Sequence, residues 1–229
     1  LLCLFSYLLE GLLLGLFSFL LSVIVLFFCL RLYNPRVALA HYFEAGRHGE
    51  DQSAFYYGID FLKGDGKSEK NPVTLARHIT RKILSDADQY IFSVLFWYVI
   101  FGLSGAVVYS VVRSLAAKKN YPKLSSSTVQ AAKQLHALLN WLPTRIVGLT
   151  YALVGHASYG FAYWRKHLRD GLNASREFAS GVGLAALEKD PEHTMADIKE
   201  NEQALAMVDG AFLLWIVVIG LCTLVAWVA

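Results

Sequence analysis

The stretch Tyr90 to Val112, YIFSVLFWYVIFGLSGAVVYSVV, decides how this chain folds. It carries no charge and is close to the ~20 apolar residues that a bilayer core demands of one helix. Yet Gly102-Leu103-Ser104-Gly105 sits at its middle. Two structures meet that pattern: a membrane helix kinked at the glycines, or a re-entrant helical hairpin whose turn backbone must be buried by neighbouring protein. Trp141 to Tyr163 poses the same choice, because Gly148 and Gly155-His156 interrupt its apolar face.

The surrounding charge bears on the choice. Arg113, Lys118, Lys119, Lys123 and Lys133 lie between the two stretches with no acid among them, and Lys and Arg gather on cytoplasmic loops. The segments 31–82 and 165–176 are also rich in Lys and Arg. Simple spanning would place these basic regions on opposite sides. The rule holds throughout only if both central stretches dip and return; because the rule is statistical, the kinked span and the hairpin both stay open for each stretch.

Composition agrees with a membrane class: 55% of residues are hydrophobic and mean hydropathy is +0.42. Gly11 to Leu32, uncharged until Arg31, and Ala211 to Ala229 read as transmembrane helices. Leu1 to Leu9 reads as the end of an earlier span, so the chain is expected to lack its start. It has neither the basic flank nor the small-residue cleavage site of a signal peptide. Cys3, Cys29 and Cys222 share no CxxC spacing, and the seven histidines form no HExxH or HxxxH pair. No metal site and no cofactor are expected.

Two segments are amphipathic, 33–88 and 166–209. In the first, Val37 to Phe61 has helical spacing broken at Gly46 to Gly49, which suggests two short helices before a surface loop at 63–68. Asn71-Pro72 then opens another helix, with Leu75, Ile79, Ile83 and Leu84 on one face. In the second, Phe178, Val182, Ala185 and Ala186 line a helical face that Asp190-Pro191 ends, and Asp197 to Glu202 reads as a solvated charged turn before the last span. The fold class is all-α: a polytopic integral membrane protein forming one membrane domain over 1–229, with amphipathic cytoplasmic helices and with re-entrant helical hairpins as an open alternative to kinked spans at the two central stretches.

The block Phe96-Trp97, Gly102, Gly105-Ala106 and Tyr109, followed by Asn140-Trp141-Leu142-Pro143-Thr144-Arg145, resembles the AmpE family, within the larger CobD/CbiB superfamily of cobalamin-pathway membrane proteins. Asn140 to His156, NWLPTRIVGLTYALVGH, carries most of the likeness. The resemblance implies a bacterial inner-membrane, multi-pass protein linked to β-lactamase induction, antibiotic response and cell-wall stress, and without an established activity. The chain departs from the enzymatic relatives where they would carry acids. A stretch resembling AENxxD is Ser85-Asp86-Ala87-Asp88-Gln89, one resembling NTLDxM is Arg113 to Lys118, and a DD pair is His136-Ala137. Nucleotide chemistry needs carboxylates to hold Mg²⁺ against phosphate oxygens, so the synthase reaction is expected to be lost and no residue is assigned a catalytic role.

Candidate ligand-binding residues are Asn140, Arg145, Arg113, Lys118, Lys119 and Trp141. Arg145 reads either as an interfacial anchor or as a ligand for an anion, since guanidinium forks onto oxygen pairs. Juxtamembrane Lys and Arg also anchor to anionic lipid, and Trp97, Trp141 and Trp164 suit an interfacial aromatic belt. The expected partners are membrane lipids, an anionic small molecule, and a second copy or another membrane protein, with no nucleic acid. Three functions compete: a non-enzymatic regulator or sensor, a cobinamide-synthase-like amide ligase in which Asp86 and Asp88 carry the metal, and a lipid-binding or partner-recruiting scaffold.

Overall fold

The computed structural model describes Ile24 and residues 34–62, 71–117, 125–172, 175–187 and 198–228. The expected features at Leu1 to Leu9 and Gly11 to Leu32, the 63–68 loop, Lys118, Lys119, Lys123 and Asp190-Pro191 lie outside these residues. Every regular element among those described is helical.

Three short helices, one more than the spacing suggested, open the described chain. They are α1 (Pro35–Ala38), α2 (Ala40–Arg47) and α3 (Asp51–Leu62). Asn34 Oδ1 caps α1 by accepting from Val37 N, and Gly49 ends the α2 segment with φ 74°, a left-handed value that glycine adopts without Cβ strain. Helix α4 (Pro72–Ala87) starts at the Asn71-Pro72 signal and buries Leu75, Ile79, Ile83 and Leu84 in the main core. It continues through a π-helical turn, Asp88–Phe92, into α5 (Ser93–Ala116). Then come α6 (Ser126–Val154), α7 (Ala157–His167), α8 (Ser175–Leu187) and α9 (Ile198–Val228).

Three helices are long and apolar enough to cross a membrane by length and composition: Thr74–Ala116, Ser126–Val154 and Ile198–Val225. The first is not straight. At Gly102 the backbone takes φ 65° and ψ −151°, outside helical values. Arg113 Nη1 donates to Gln89 O at 2.6 Å across 24 residues, a separation of about 36 Å along a straight helix. Val94 and Ala106 share one buried cluster, and a Cβ on Gly105 would fall against the Trp97 carbonyl oxygen, so the arms approach closely where glycine stands. The two halves of α5 therefore lie against each other, and the stretch that opened the question is a helical hairpin.

A second hairpin joins α6 to α7 at Gly155-His156. Trp164 Nε1 donates to Arg145 O at 2.9 Å across 19 residues, about 28 Å if the helix ran on. A Cβ on Gly160 would meet Ala152 Cα at 2.8 Å, so the arms need glycine to close. Gly148 is no break: it lies inside α6 under Phe178 and Val182, where its missing side chain admits α8.

The charged turn expected at Asp197 to Glu202 is instead the start of α9 from Ile198 onward. Asn201 explains the difference. Its amide donates to Ala76 O and Thr80 Oγ1 and accepts from Tyr42 OH, which ties α9 to α4 and α2 through a fully buried side chain. Arg47 pairs with Glu202 at 2.7 Å and Arg36 with Asp209, so the polar end of α9 is held by the short helices.

Candidate functional site

Asn140 is the centre of the buried polar chemistry. It sits mid-way along α6, 2% exposed, where the helix meets both arms of the α5 hairpin. Its Oδ1 accepts from Ser93 Oγ at 2.8 Å and from Tyr109 OH at 2.8 Å, while its Nδ2 donates to Asp88 Oδ2 at 3.3 Å. Ser93 Oγ also lies 3.4 Å from Asp88 Oδ1, and Thr144 presents its hydroxyl to the same carboxylate. Tyr109 OH reaches outward to His136 Nε2 at 3.3 Å.

Local geometry explains how these groups converge. The π-helical turn adds a residue to the helical repeat, and such turns recur at functional sites. Here it lies immediately before Ser93 and holds Asp88, 1% exposed, beside Asn140. The reversal at Gly102 brings Tyr109 back to the same amide. Pro143 contributes from the other side. Lacking an N–H, it cannot bond the carbonyl four residues earlier, and Trp97 Nε1 donates to that carbonyl, Leu139 O, at 3.1 Å. The indole expected in an interfacial belt thus closes a gap in α6. Trp164 Nε1 also donates to a carbonyl of α6, that of Arg145, at 2.9 Å.

Arg145 is 4% exposed and its guanidinium lies between the rings of Trp141 and Phe178, 4.6 and 4.7 Å from their centroids. It donates to Trp141 O at 3.2 Å and to Asp170 O at 2.8 Å. Stacking on two aromatic faces suits a weakly hydrated planar cation. Arg145 and Trp141 therefore meet in one stacked unit that joins α6 to the end of α7 and to α8. Arg113 occupies a different place, over the Tyr90 ring at 4.2 Å with Nη1 on Gln89 O. Among the expected ligand residues, the structure joins Arg145 to Trp141, sets Asn140 in the buried cluster, and puts Arg113 at the hairpin's base; Lys118 and Lys119 are not described.

The positions where acids were expected have a local account. Gln89 Nε2 donates to Ser85 Oγ at 3.1 Å, so these two residues bond each other along α4. Asp86 pairs with Lys82 at 3.5 Å. Asp88 is the carboxylate that enters the buried cluster. Ser93, Tyr109, Thr144 and His136 were not singled out as site residues by sequence; the hairpin brings Ser93 and Tyr109 to the amide from its two arms, while His136 and Thr144 lie one turn either side of Asn140 on α6. Among the described residues there is no group of three His, Cys, Asp or Glu side chains placed to hold a metal ion. An open cavity of about 610 Å³ between α2 and α9 is lined by Arg36, Phe43, Arg47 and Glu202, and its arginines are already paired across it.

Comparison with known proteins adds to this geometry. The family described as "Regulatory signalling modulator protein AmpE" matches residues 1–228. "Cobalamin biosynthesis protein CobD" of Stutzerimonas stutzeri (strain A1501) is 33% identical over 112 residues, 48% of this chain and 37% of that protein. The protein of the same description from Chromobacterium violaceum is 32% identical over 118 residues, 50% of this chain and 38% of its own. The matched region thus spans little more than a third of either relative's length. No solved structure matches the chain.

Proposed function

Because the chain belongs to the AmpE family of regulatory signalling modulators, we propose that it is a non-enzymatic regulator of the bacterial inner membrane, acting in β-lactamase induction and the response to cell-wall stress. Its membrane location follows from the family and from three helices of spanning length and apolarity. The observation that carries the non-enzymatic reading is the disposition of the carboxylates. Asp88 is enclosed and bonded to Ser93 and Asn140, while Asp86 pairs with Lys82. Nucleotide chemistry needs carboxylates shared between Mg²⁺ and phosphate, and an enclosed, internally bonded group is poorly suited to that.

The buried amide fits a signalling part. Asn140 joins both hairpin arms to α6, so a ligand or partner that preferred one hairpin arrangement would shift the population through a few hydrogen bonds. The candidate ligands are an anionic small molecule or lipid headgroups at the basic positions, and the candidate protein partners are a second copy or another membrane protein. The test is deletion of the gene in a strain with an inducible chromosomal β-lactamase, followed by return of the wild-type chain or of Asn140→Ala. Altered induction restored by wild type alone supports the reading; unchanged induction on deletion overturns it.

A second reading rests on the CobD similarity. In it the chain is an amide ligase of the cobinamide-synthase kind, with Asp88 reorganised to meet a metal. Rescue of a synthase-deficient strain by this chain would establish that reading in place of the first.

A further inference from the structure

Two cavities of unlike character meet at one ion pair. The larger, about 610 Å³, opens between α2 and α9 and carries charged side chains beside Ala40, Phe43 and Leu205. The smaller, about 200 Å³, lies among α1, α4 with its π-helical turn, and α9, where Ile83, Ala87, Ile91 and Val208 line it. Arg36 and Leu205 line both. Arg36 pairs with Asp209, which lines the smaller cavity, so a charged chamber adjoins an apolar one across this pair.

The sequence puts the junction at a membrane surface. Residues 210–228 carry no charge and form the apolar part of α9, which leaves Asp209 as the acid at the head of that run. Residues 11–30 are also uncharged, and Arg31 and Arg36 are the first cations after them. Runs of this length match a bilayer core. The Arg36–Asp209 pair therefore joins the charged margin of one run to that of the other.

Charge selects the occupant. With His48 neutral, the charged residues lining the two cavities are Arg36, Arg47, Glu44, Glu202 and Asp209, two cations against three acids among the described residues. A simple anion meets a net negative lining, whereas a group of both signs finds a partner for each of its charges. We propose that the junction binds a phospholipid with a phosphoethanolamine headgroup, the headgroup in the larger cavity and the start of an acyl chain in the smaller. Phosphate oxygens accept from Arg36 and Arg47, and the primary ammonium, with three N–H donors, reaches Glu202 and Glu44. The existing pairs leave room for this exchange. Arg36–Asp209 and Arg47–Glu202 have side chains between 43% and 70% exposed, and surface pairs of this kind contribute little. Pockets between membrane helices bind headgroups in this way. The proposal takes only the membrane location from the regulatory reading, so a failed lipid test and an unchanged deletion strain are separate results.

The test melts the full purified chain in detergent while dihexanoyl phosphatidylethanolamine, phosphatidylcholine or phosphatidylglycerol is titrated in. The expected result is a saturable rise in melting temperature, as for any ligand that binds only the folded state. Half-saturation should come at a concentration at least about tenfold lower for phosphatidylethanolamine than for the others. Phosphatidylcholine keeps both charges, but its quaternary ammonium has no N–H to donate; phosphatidylglycerol has no cation. Glu202→Gln removes an ammonium acceptor and should bring phosphatidylethanolamine to the phosphatidylcholine value. Arg36→Gln should weaken all of the lipids, and Gln52→Ala, exposed on α3, should change none. Each comparison is between lipids in one variant, so lost stability does not imitate the result. Should Glu202→Gln not fold, Glu44→Gln gives the same comparison. Equal half-saturation by the three lipids in the wild type overturns the proposal, as does tighter binding of phosphatidylglycerol or a full ethanolamine preference in the acid variant measured.

Discussion

Ser93 and Tyr109 donate to the same oxygen, Asn140 Oδ1, each at 2.8 Å. One residue lies on each arm of the α5 hairpin, so a single side chain of α6 joins both. Removing it orphans two buried hydroxyls, and each unsatisfied group costs about 1–3 kcal/mol. Asn140→Ala is expected to lower stability by about 2–4 kcal/mol in denaturant or thermal unfolding, more than Ser93→Ala or Tyr109→Phe. In the background of Asn140→Ala, the Ser93→Ala change should cost less than half its value alone, because the shared acceptor is already gone. Equal costs in the two backgrounds would show that the bond carries no energy.

Much of this arrangement was legible in the sequence, but only to the level of elements. Gly102 and Gly105 marked a kink or a reversal, and the basic residues on both sides left the two open. Asn71-Pro72 placed the start of α4. Contacts across the fold were beyond it. Nothing local in Asn201 distinguishes a buried interhelical tie from a charged turn, since its partners Ala76, Thr80 and Tyr42 are at least 121 residues away. Arg145 drew attention as a cation near an apolar run, yet Phe178, which covers one of its faces, arrives from α8. The block from Phe96 to Tyr109 and the motif Asn140 to Arg145 carried the family likeness, while Ser93, which completes the buried cluster from the hairpin, stood outside both.

Gly102 should be the residue on which the first hairpin turns. Its φ of 65° with ψ −151° is a conformation that a Cβ disfavours, while no atom stands within 4 Å of where a Cβ would be. The cost of Gly102→Ala is then backbone strain alone, about 1–3 kcal/mol. Thermal unfolding should show that loss, whereas Gly220→Ala, in regular helix with open space beside it, should change little or stabilise slightly. Indistinguishable melting of the two variants would count against the reversal.

Proximity of the hairpin arms gives a direct check. Val94 and Ala106 belong to one buried cluster, but would be about 18 Å apart along an unbroken helix. A Val94→Cys, Ala106→Cys pair in the Cys-free background should be joined within one chain by a reagent spanning about 5 Å, with the bridge read by peptide mass spectrometry. Efficient bridging is expected in membranes as well as in detergent. Its absence under conditions that modify both thiols would restore the straight, kinked helix.

The Arg145 stack predicts that charge alone is insufficient. Lys at this position keeps the cation but loses the planar group that lies between Trp141 and Phe178 and reaches Trp141 O and Asp170 O together. Arg145→Lys should destabilise by about 1–3 kcal/mol, and Phe178→Leu, which keeps an apolar contact but removes one stacked face, by about 1–2 kcal/mol. Unfolding measurements that found Arg145→Lys neutral would return this residue to the role of an interfacial anchor.

A proline on α6 is coupled to a tryptophan on α5. Pro143 leaves Leu139 O without its usual intrahelical donor, and Trp97 Nε1 supplies the bond at 3.1 Å. Trp97→Phe keeps an aromatic ring against Phe101 but orphans the carbonyl, at an expected cost of about 1–3 kcal/mol. Pro143→Ala restores an N–H four residues along, so Leu139 O regains an intrahelical donor whether or not the indole is present. Trp97→Phe should therefore be milder in the Pro143→Ala background by about 1 kcal/mol, a coupling that a double-mutant cycle in unfolding experiments reads directly. Strict additivity would mean that the indole acts through packing alone and that the bond to Leu139 O is incidental.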